Sequence, residues 1–334
     1  MDDRKRKYFM TGATGYIGSR LAIRLAEEGN TVNALIRNPG KAGDLKNPNI
    51  KLFAGDITDE SLIRKAMKGC RYAFHLAAFA KPWSNDPGLP YRINVELTAR
   101  LLETAKQQGL EKFIFTSSAA TMEPSGENSL SDESTPRETA YFNQYDSTKA
   151  AAEEVVSNAS GNGLEALTVN PTRVYGPGPL SVSNAMTRIM VRYLQGRWRI
   201  IPGSGKVVGN YVFVDDVVSG HIQAAYHGRG GERYILGGEN LTFDQMFSII
   251  SKVTGKKYRL VHLPVPLMSA AAWLIFNGSR MVNAAPPITP GWIRKYMHHA
   301  GLSSGKAMDE LGYSITPFEK GTEKTINWIK KMKL

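Results

Sequence analysis

Three features of the 334-residue sequence predict an α/β fold, a doubly wound parallel sheet followed by a smaller domain. Short apolar runs alternate with amphipathic stretches through the first half, the rhythm of strands and covering helices. Three glycines spaced by three, Gly12, Gly15 and Gly18, follow the first apolar run. Further on, Tyr145 and Lys149 stand four residues apart, downstream of Thr116-Ser117-Ser118 at the close of another run.

In chain order, the pattern predicts strands at Lys7–Thr11, Thr31–Ile36, Ile50–Ala54, Tyr72–His75, Lys112–Thr116 and Glu165–Val169. Helices are expected at Gly15–Glu28, Glu60–Lys68, Tyr91–Gln108 and Gln144–Ser160, with Gly29, Gly69, Gly109 and Gly161 near their ends. Ligands of such sheets bind at the carboxyl ends of the strands. The glycine loop, His75-Leu76-Ala77-Ala78 and Thr116-Ser117-Ser118 all fall there, so one crevice is expected. Beyond Pro171 the rhythm weakens. Lys81–Pro87 and Glu123–Thr139 read as loops near the site, the second polar and acidic enough to be either a lid or plain surface.

The chemistry follows from residue types. Glycines let a backbone approach a pyrophosphate, and the helix opening at Gly15 offers free N–H groups and a positive dipole end. Four residues apart on a helix, Tyr145 and Lys149 share a face. A tyrosine has a pKa of about 10, and a nearby ammonium is expected to lower it. Ser118 supplies a hydroxyl to orient the reacting oxygen. At the end of the second strand an NAD enzyme places an acid for the ribose 2′-hydroxyl. This chain has Arg37, with Lys41 close behind, and a guanidinium suits a 2′-phosphate. NADP(H) is the favoured cofactor, with NAD(H) the alternative.

Together with Gly55-Asp56-Ile57-Thr58-Asp59, Asn170-Pro171-Thr172-Arg173-Val174-Tyr175-Gly176-Pro177-Gly178 and Tyr211-Val212-Phe213-Val214-Asp215-Asp216-Val217, these motifs give the resemblance. The chain resembles the extended short-chain dehydrogenases/reductases, the NAD-dependent epimerase/dehydratase family, over nearly its whole length. Phe115–Ala119 and Leu35–Pro39 look most like the dihydroflavonol 4-reductase branch, and Glu232–Asn240 like its bacterial members, some linked to hopanoid biosynthesis. The resemblance implies a Rossmann-type cofactor domain at 1–170, rejoined near 211–237, and a substrate domain from 171–210 and 238–334. It implies catalysis by Ser118, Tyr145 and Lys149, with Asn94 organising the site and Leu97 replacing a usual glycine. Cofactor contacts would come from Gly12, Thr14, Gly15, Tyr16, Ile17, Gly18, Arg37, Asp56 (to the adenine), Ile57, Leu76, Ala77, Ala78, Thr116, Tyr145, Lys149, Pro171, Thr172 and Val174. Homodimerisation is expected through Tyr91–Gln108 and Gln144–Ser160, with Val95, Leu102, Ala151 and Val155 as contacts.

The expected reaction is reduction of a ketone or aldehyde on an uncharged or weakly charged, largely apolar small molecule. The competing enzyme reading is a nucleotide-sugar epimerase or dehydratase. Those relatives carry an arginine just before the strand matching Tyr211-Val212-Phe213, where Gly209-Asn210 stand here. Arg188, Arg192, Arg280 and Arg294 are the cations that could replace it. Trp83, Trp273 and Phe276 point instead to an apolar pocket. A non-catalytic cofactor-binding regulator would be expected to lose the Tyr-Lys pair, which this chain keeps.

Composition bounds the rest. A net charge of +12 attracts anions, but the clusters Arg4–Lys7 and Lys330-Lys331 are terminal and no nucleic-acid motif accompanies them. One cysteine, Cys70, excludes a disulfide within the chain, and six histidines lack ligand spacing, the adjacent His298 and His299 diverging on a helix, so no metal is expected. The N-terminus lacks an apolar signal region, which suggests a cytoplasmic protein. Val265–Phe276, the most apolar stretch, is shorter than the ~20 residues of a membrane span. It is expected to pack on the core or line the pocket, with peripheral membrane contact as the lesser reading.

Overall fold

The computed structural model describes residues 5–80, 84–161, 163–281, 286 and 288–334. Its first half runs β1 (Lys7–Thr11), α1 (Tyr16–Glu27), β2 (Thr31–Ile36), β3 (Ile50–Ala54), α2 (Glu60–Met67) and β4 (Tyr72–His75). A continuous helical stretch follows, made of α3 (Leu89–Tyr91), a π-helical turn (Arg92–Glu96) and α4 (Leu97–Gln107), then β5 (Lys112–Thr116), α5 (Gln144–Ala159) and β6 (Glu165–Pro171). The second half runs β7 (Arg173–Tyr175), α6 (Ala185–Leu194), β8 (Ile200–Pro202), β9 (Val208–Phe213), α7 (Val214–His227), β10 (Arg233–Leu236) and β11 (Glu239–Thr242). It ends with α8 (Phe243–Thr254), β12 (Val261–Leu263), α9 (Val265–Met281), α10 (Pro290–Tyr296), α11 (Gly305–Leu311) and α12 (Phe318–Lys331).

Seven parallel strands form the main sheet in the order β10-β6-β5-β4-β1-β2-β3. The chain moves one way from β1 through β3 and the other way from β4 through β6. The crevice at that reversal, between β1 and β4, is where such sheets bind ligands. Strands alternate faces, so Tyr8 and Met10 pack into one cluster while Phe9 packs into another with Phe113 and Phe115. Each of these fully buried phenylalanines contributes about 1.5–3 kcal/mol of transfer free energy. A third cluster, around Tyr193, Tyr211, Phe247 and Phe318, forms from the later segments.

Five of the expected strands coincide residue for residue, and β6 runs on to Pro171 because β10 pairs with it there. Three expectations need correction. The helix expected over 91–108 contains a π-helical turn, which places Asn94 inside the fold and buries Leu97. Val95 and Leu102, offered as dimer contacts, are buried within the protomer, packed with α5 residues such as Ala152 and Val156, whereas Ala151 and Val155 keep part of their surface. The apolar stretch at 265–276 lies in α9, which packs little: Ala272 is the one buried residue among its described side chains, and Trp273 is 59% exposed.

Candidate active site

A cavity of about 940 Å³ runs along the carboxyl ends of the central strands and on into the later segments. Its first half is the glycine loop. Gly12 has φ +74°, and a Cβ there would lie 2.7 Å from the backbone of Leu76 and Ala77, so the turn closes against the end of β4 only with glycine. A Cβ on Gly18 would collide with the Gly12 carbonyl. Gly15 caps α1 without any side-chain hydrogen bond, and no acidic residue stands in the first turn. The helix therefore presents open N–H groups and an uncompensated positive end to the cavity, which fits a bound pyrophosphate.

Gly12, Thr14, Gly15, Ile17, Arg37, Ile57, Leu76, Ala77 and Ala78 line this half, with Lys41 beside Arg37. Three residues expected to contact a cofactor lie off the wall. Tyr16 is buried and donates to the Gly176 carbonyl (3.1 Å). Gly18 serves the packing of the loop. Asp56 is exposed, and its Oδ1 accepts from the Thr58 hydroxyl (2.6 Å) and amide (2.8 Å). Those bonds, helped by the charge of Arg37, hold its carboxyl below the usual range.

Thr116, Ser118, Tyr145, Lys149, Pro171, Thr172 and Val174 line the middle of the cavity. Register explains the convergence, because Thr116 pairs with Val169 and Ser117 N donates to the Val169 carbonyl (2.8 Å). The ends of β5 and β6 thus present Ser118 and Pro171 side by side. Helix α5 starts at a fixed place because the Asn143 side chain accepts from Asp146 N (3.0 Å), so Tyr145 sits in the first turn. Asn94 lies behind this wall. Its Oδ1 accepts from Phe79 N (2.8 Å) and its Nδ2 donates to Thr148 Oγ1 (2.9 Å), tying the loop after β4 to α5.

The electrostatics differ from the sequence expectation. Burial, then the neighbouring Asp146, pushes the Tyr145 phenol up to about 12, with the Ser118 hydroxyl pulling the other way. Lys149 is 1% exposed, donates to the Thr116 carbonyl (2.6 Å) and lies 3.9 Å from the centre of the Phe115 ring. Burial lowers its pKa to about 7, and Glu153 opposes that shift. A lysine that is itself partly neutral cannot depress the phenol as a fixed ammonium would.

The far half mixes apolar side chains with cations. Met122, Met186, Ile189, Phe243, Met246 and Trp292 line it, whereas Trp273 does not, and Trp83 lies outside the described residues, as does the Arg280 side chain. Arg188, Arg192 and Arg294 are exposed and off the wall. Arg173 is the cation the sequence reading overlooked. Pairing of Arg173 with Tyr211 sets its guanidinium over Gly209, where a side chain would collide with it. It donates to Tyr211 Oη (3.1 Å), faces the rings of Phe243 and Tyr296, and has no ion pair among the described residues. Arg137 also borders the cavity; two of its nitrogens donate to the carbonyls of Met122 and Ala140, and its buried Nε has no partner among the described residues.

Two further features escaped the sequence. Asp146, fully buried, accepts from Lys295 Nζ of α10 (2.8 Å), and burial raises the carboxyl pKa and lowers that of the lysine. The Glu123–Thr139 loop is stitched shut rather than free. Glu123 accepts from Thr139 Oγ1 (2.6 Å), and Ser125 and Ser131 bond backbone to backbone with His299 and Gly301. His298 and His299, expected on a helix, lie beyond the end of α10, and both border the cavity.

Comparison with known proteins agrees with this geometry. The model of the NAD dependent epimerase/dehydratase family matches residues 8–237. A Synechocystis sp. protein named "Putative dihydroflavonol 4-reductase" is 29% identical, covering 96% of this chain and 94% of its own. Sterol demethylase protein B of Methylococcus capsulatus is 30% identical over 96% of this chain and 98% of its own. Among solved structures, that of gox2253 superposes with a TM-score of 0.81 at 29% identity, covering 98% of this chain and 99% of its own. The UDP-glucose 4-epimerase of Thermotoga maritima shares the fold, with a TM-score of 0.78 at 24% identity over 98% of this chain and all of its own. A glycine-cradled crevice at the sheet reversal, with a Ser-Tyr-Lys constellation beside it, belongs in this setting: the chain is a member of the NAD-dependent epimerase/dehydratase family, an oxidoreductase of the extended short-chain dehydrogenase/reductase type.

Proposed function

We propose that this oxidoreductase reduces a ketone or aldehyde on a largely apolar small molecule, with NADPH as the preferred cofactor. The observation that carries the reading is the placing of Ser118, Tyr145 and Lys149 in a cavity whose far walls are largely methionine, isoleucine and aromatic side chains. Sterols, which appear in the names of two relatives, are likewise largely apolar molecules. The glycine loop and the open end of α1 would hold the pyrophosphate, and Arg37 with Lys41 the 2′-phosphate. A bound nicotinamide supplies hydride. Ser118 orients the substrate oxygen by its hydroxyl. Tyr145, held protonated by burial, gives that oxygen its proton as general acid. Lys149 holds ribose hydroxyls and passes its charge toward the phenolate that forms. Asn94 keeps α5 in register with the loop after β4. One buried cysteine, Cys70, suits a reducing cytoplasm. Pairing of two copies would use the outer faces of α4 and α5, including Ala151 and Val155.

One observation favours the nucleotide-sugar alternative. Arg173 puts a cation over Gly209, so the place of Gly209-Asn210 is not empty of charge. A diphosphate bears two charges, and meeting both would draw on Arg137 as well as Arg173, at the cost of the bonds Arg137 makes to the carbonyls of Met122 and Ala140. The apolar carbonyl therefore remains the better substrate class. The test is a cofactor-absorbance screen over aldehydes, aliphatic ketones, flavanonols, 3-hydroxysteroids and nucleotide sugars, with NADPH and NADH titrated into the wild type and Arg37→Asp. NADPH preference lost in the variant, with turnover of apolar carbonyls, is expected. Micromolar binding of UDP, GDP or dTDP by calorimetry would transfer the assignment to the alternative.

A further inference from the structure

Helix α9 spans 17 residues, VPLMSAAAWLIFNGSRM, with one charged position. A helix that is apolar all round belongs in a core or in lipid. This one is in neither, since Leu267 (58%), Trp273 (59%), Leu274 (64%) and Met281 (88%) are all largely exposed. An apolar patch of that size marks a docking surface. Among the described residues no helix is long and apolar enough to cross a membrane, so the surface would lie on a bilayer rather than through it.

Charge identifies the partner. Between Asp244 and Asp309 the chain has no Asp or Glu, yet it carries Lys256, Lys257, Arg259, Arg280 and Arg294, besides Lys252, Lys295 and Lys306, which pair with Glu319, Asp146 and Glu232 from elsewhere in the fold. The strand that leads into α9, β12, pairs with β8, and there Val261 (55%) and Ile200 (43%) add exposed apolar surface beside the exposed Arg199, Lys257 and Arg259. We propose that α9 and the β8–β12 edge dock on an anionic lipid bilayer, the apolar side chains at the acyl boundary and the basic rim on the headgroups. A second copy of this chain fits poorly. A two-fold interface would set the exposed Arg199, Lys257 and Arg259 of one copy against the same cations of the other. The docking is independent of the reaction assigned above, but it bears on supply. Met268 of the same helix lines the catalytic cavity, so a lipid-soluble molecule would have a short path from bilayer to site.

The test is flotation of the full chain with vesicles of phosphatidylcholine alone or mixed with phosphatidylglycerol, at low and high salt. Binding to the mixed vesicles should exceed that to neutral ones by about tenfold or more and should fall with salt. The double substitution Trp273→Ser with Leu274→Ser should lower binding at least about tenfold, with thermal stability and turnover of a water-soluble carbonyl unchanged. Lys257→Gln with Arg259→Gln should erase much of the preference for anionic lipid. Absence of binding to mixed vesicles, or equal binding by the Trp273/Leu274 variant, would overturn the proposal. So would light scattering in which that variant halves the mass of the wild-type particle, since α9 would then be a contact between copies.

Discussion

Gly18 and Gly278 are both helical glycines, and a β-carbon added to each meets different surroundings. At Gly18 it strikes the carbonyl of Gly12, while at Gly278 it finds nothing within 4 Å. The two positions stand for two ways of building a cavity wall. Around the glycine loop the wall is backbone, set by sheet register and tight turns that leave no room for addition. Around α9 and α10 it is made of helix side chains, some of them facing outward. Backbone walls suit a ligand part that never varies, and side-chain walls suit a part that differs between relatives.

That contrast is sharpest in catalysis. Tyr145→Phe removes one hydroxyl from a wall fixed by β5 and α5. Turnover should fall at least ~10²-fold while cofactor titration is unaffected. Near-normal turnover would show that the proton comes from elsewhere. Lys149→Met should lose turnover and cofactor affinity together.

A somewhat smaller effect is expected where the two regions meet. Lys295→Met leaves the buried Asp146 carboxylate without its cation, a change worth about 3 kcal/mol of stability given that Lys295 keeps 27% of its side-chain exposure. Combining it with Asp146→Asn should recover most of the loss in a denaturant titration. Failure to recover would mean that the lysine acts alone.

The glycine pair itself gives the third measurement. Gly18→Ala should destabilise by roughly 1–3 kcal/mol through overpacking. Gly278→Ala, in an open stretch of helix, should stabilise by about 0.5–1 kcal/mol. Equal melting shifts would erase the distinction drawn here.

The last measurement is a slope with pH. Folding lowers the Lys149 pKa from 10.5 to about 7, so between those values the unfolded chain binds more protons than the folded one. The contribution of this group to stability must then rise with pH across that window. The stability of the wild type relative to Lys149→Met should accordingly rise as the pH is raised from 7 toward 10. A constant difference would show that the amine titrates normally in the fold.

How much of this was legible beforehand follows the same division. The strands β1 to β5 could be placed to the residue because each is a short apolar run bounded by glycine or polar residues. Gly12, Ser118, Tyr145 and Lys149 were readable because their spacing is local. Arg173 was present in a quoted motif, but its importance depends on pairing with Tyr211, which no local pattern announces. The Asp146–Lys295 contact joins residues 149 positions apart, and only folding brings them together. The Tyr145 pKa was misread for a related reason. Burial dominates it, and burial is a property of the whole surrounding rather than of a four-residue interval. Trp273 was misplaced because an apolar stretch does not say whether protein or something else will cover it.

The Asp146–Lys295 ion pair has a consequence for anyone recombining these enzymes. Specificity in such folds invites grafting of the later segments of one homologue onto the front of another. In this protein Asp146, next to the proposed proton donor Tyr145, is paired with a lysine of α10, deep in the portion that would be exchanged. A chimera drawn at the end of β6 would inherit the acid from one parent and need its counter-ion from the other. Parents chosen for a matched pair at these two positions should yield active hybrids far more often than parents chosen for overall similarity.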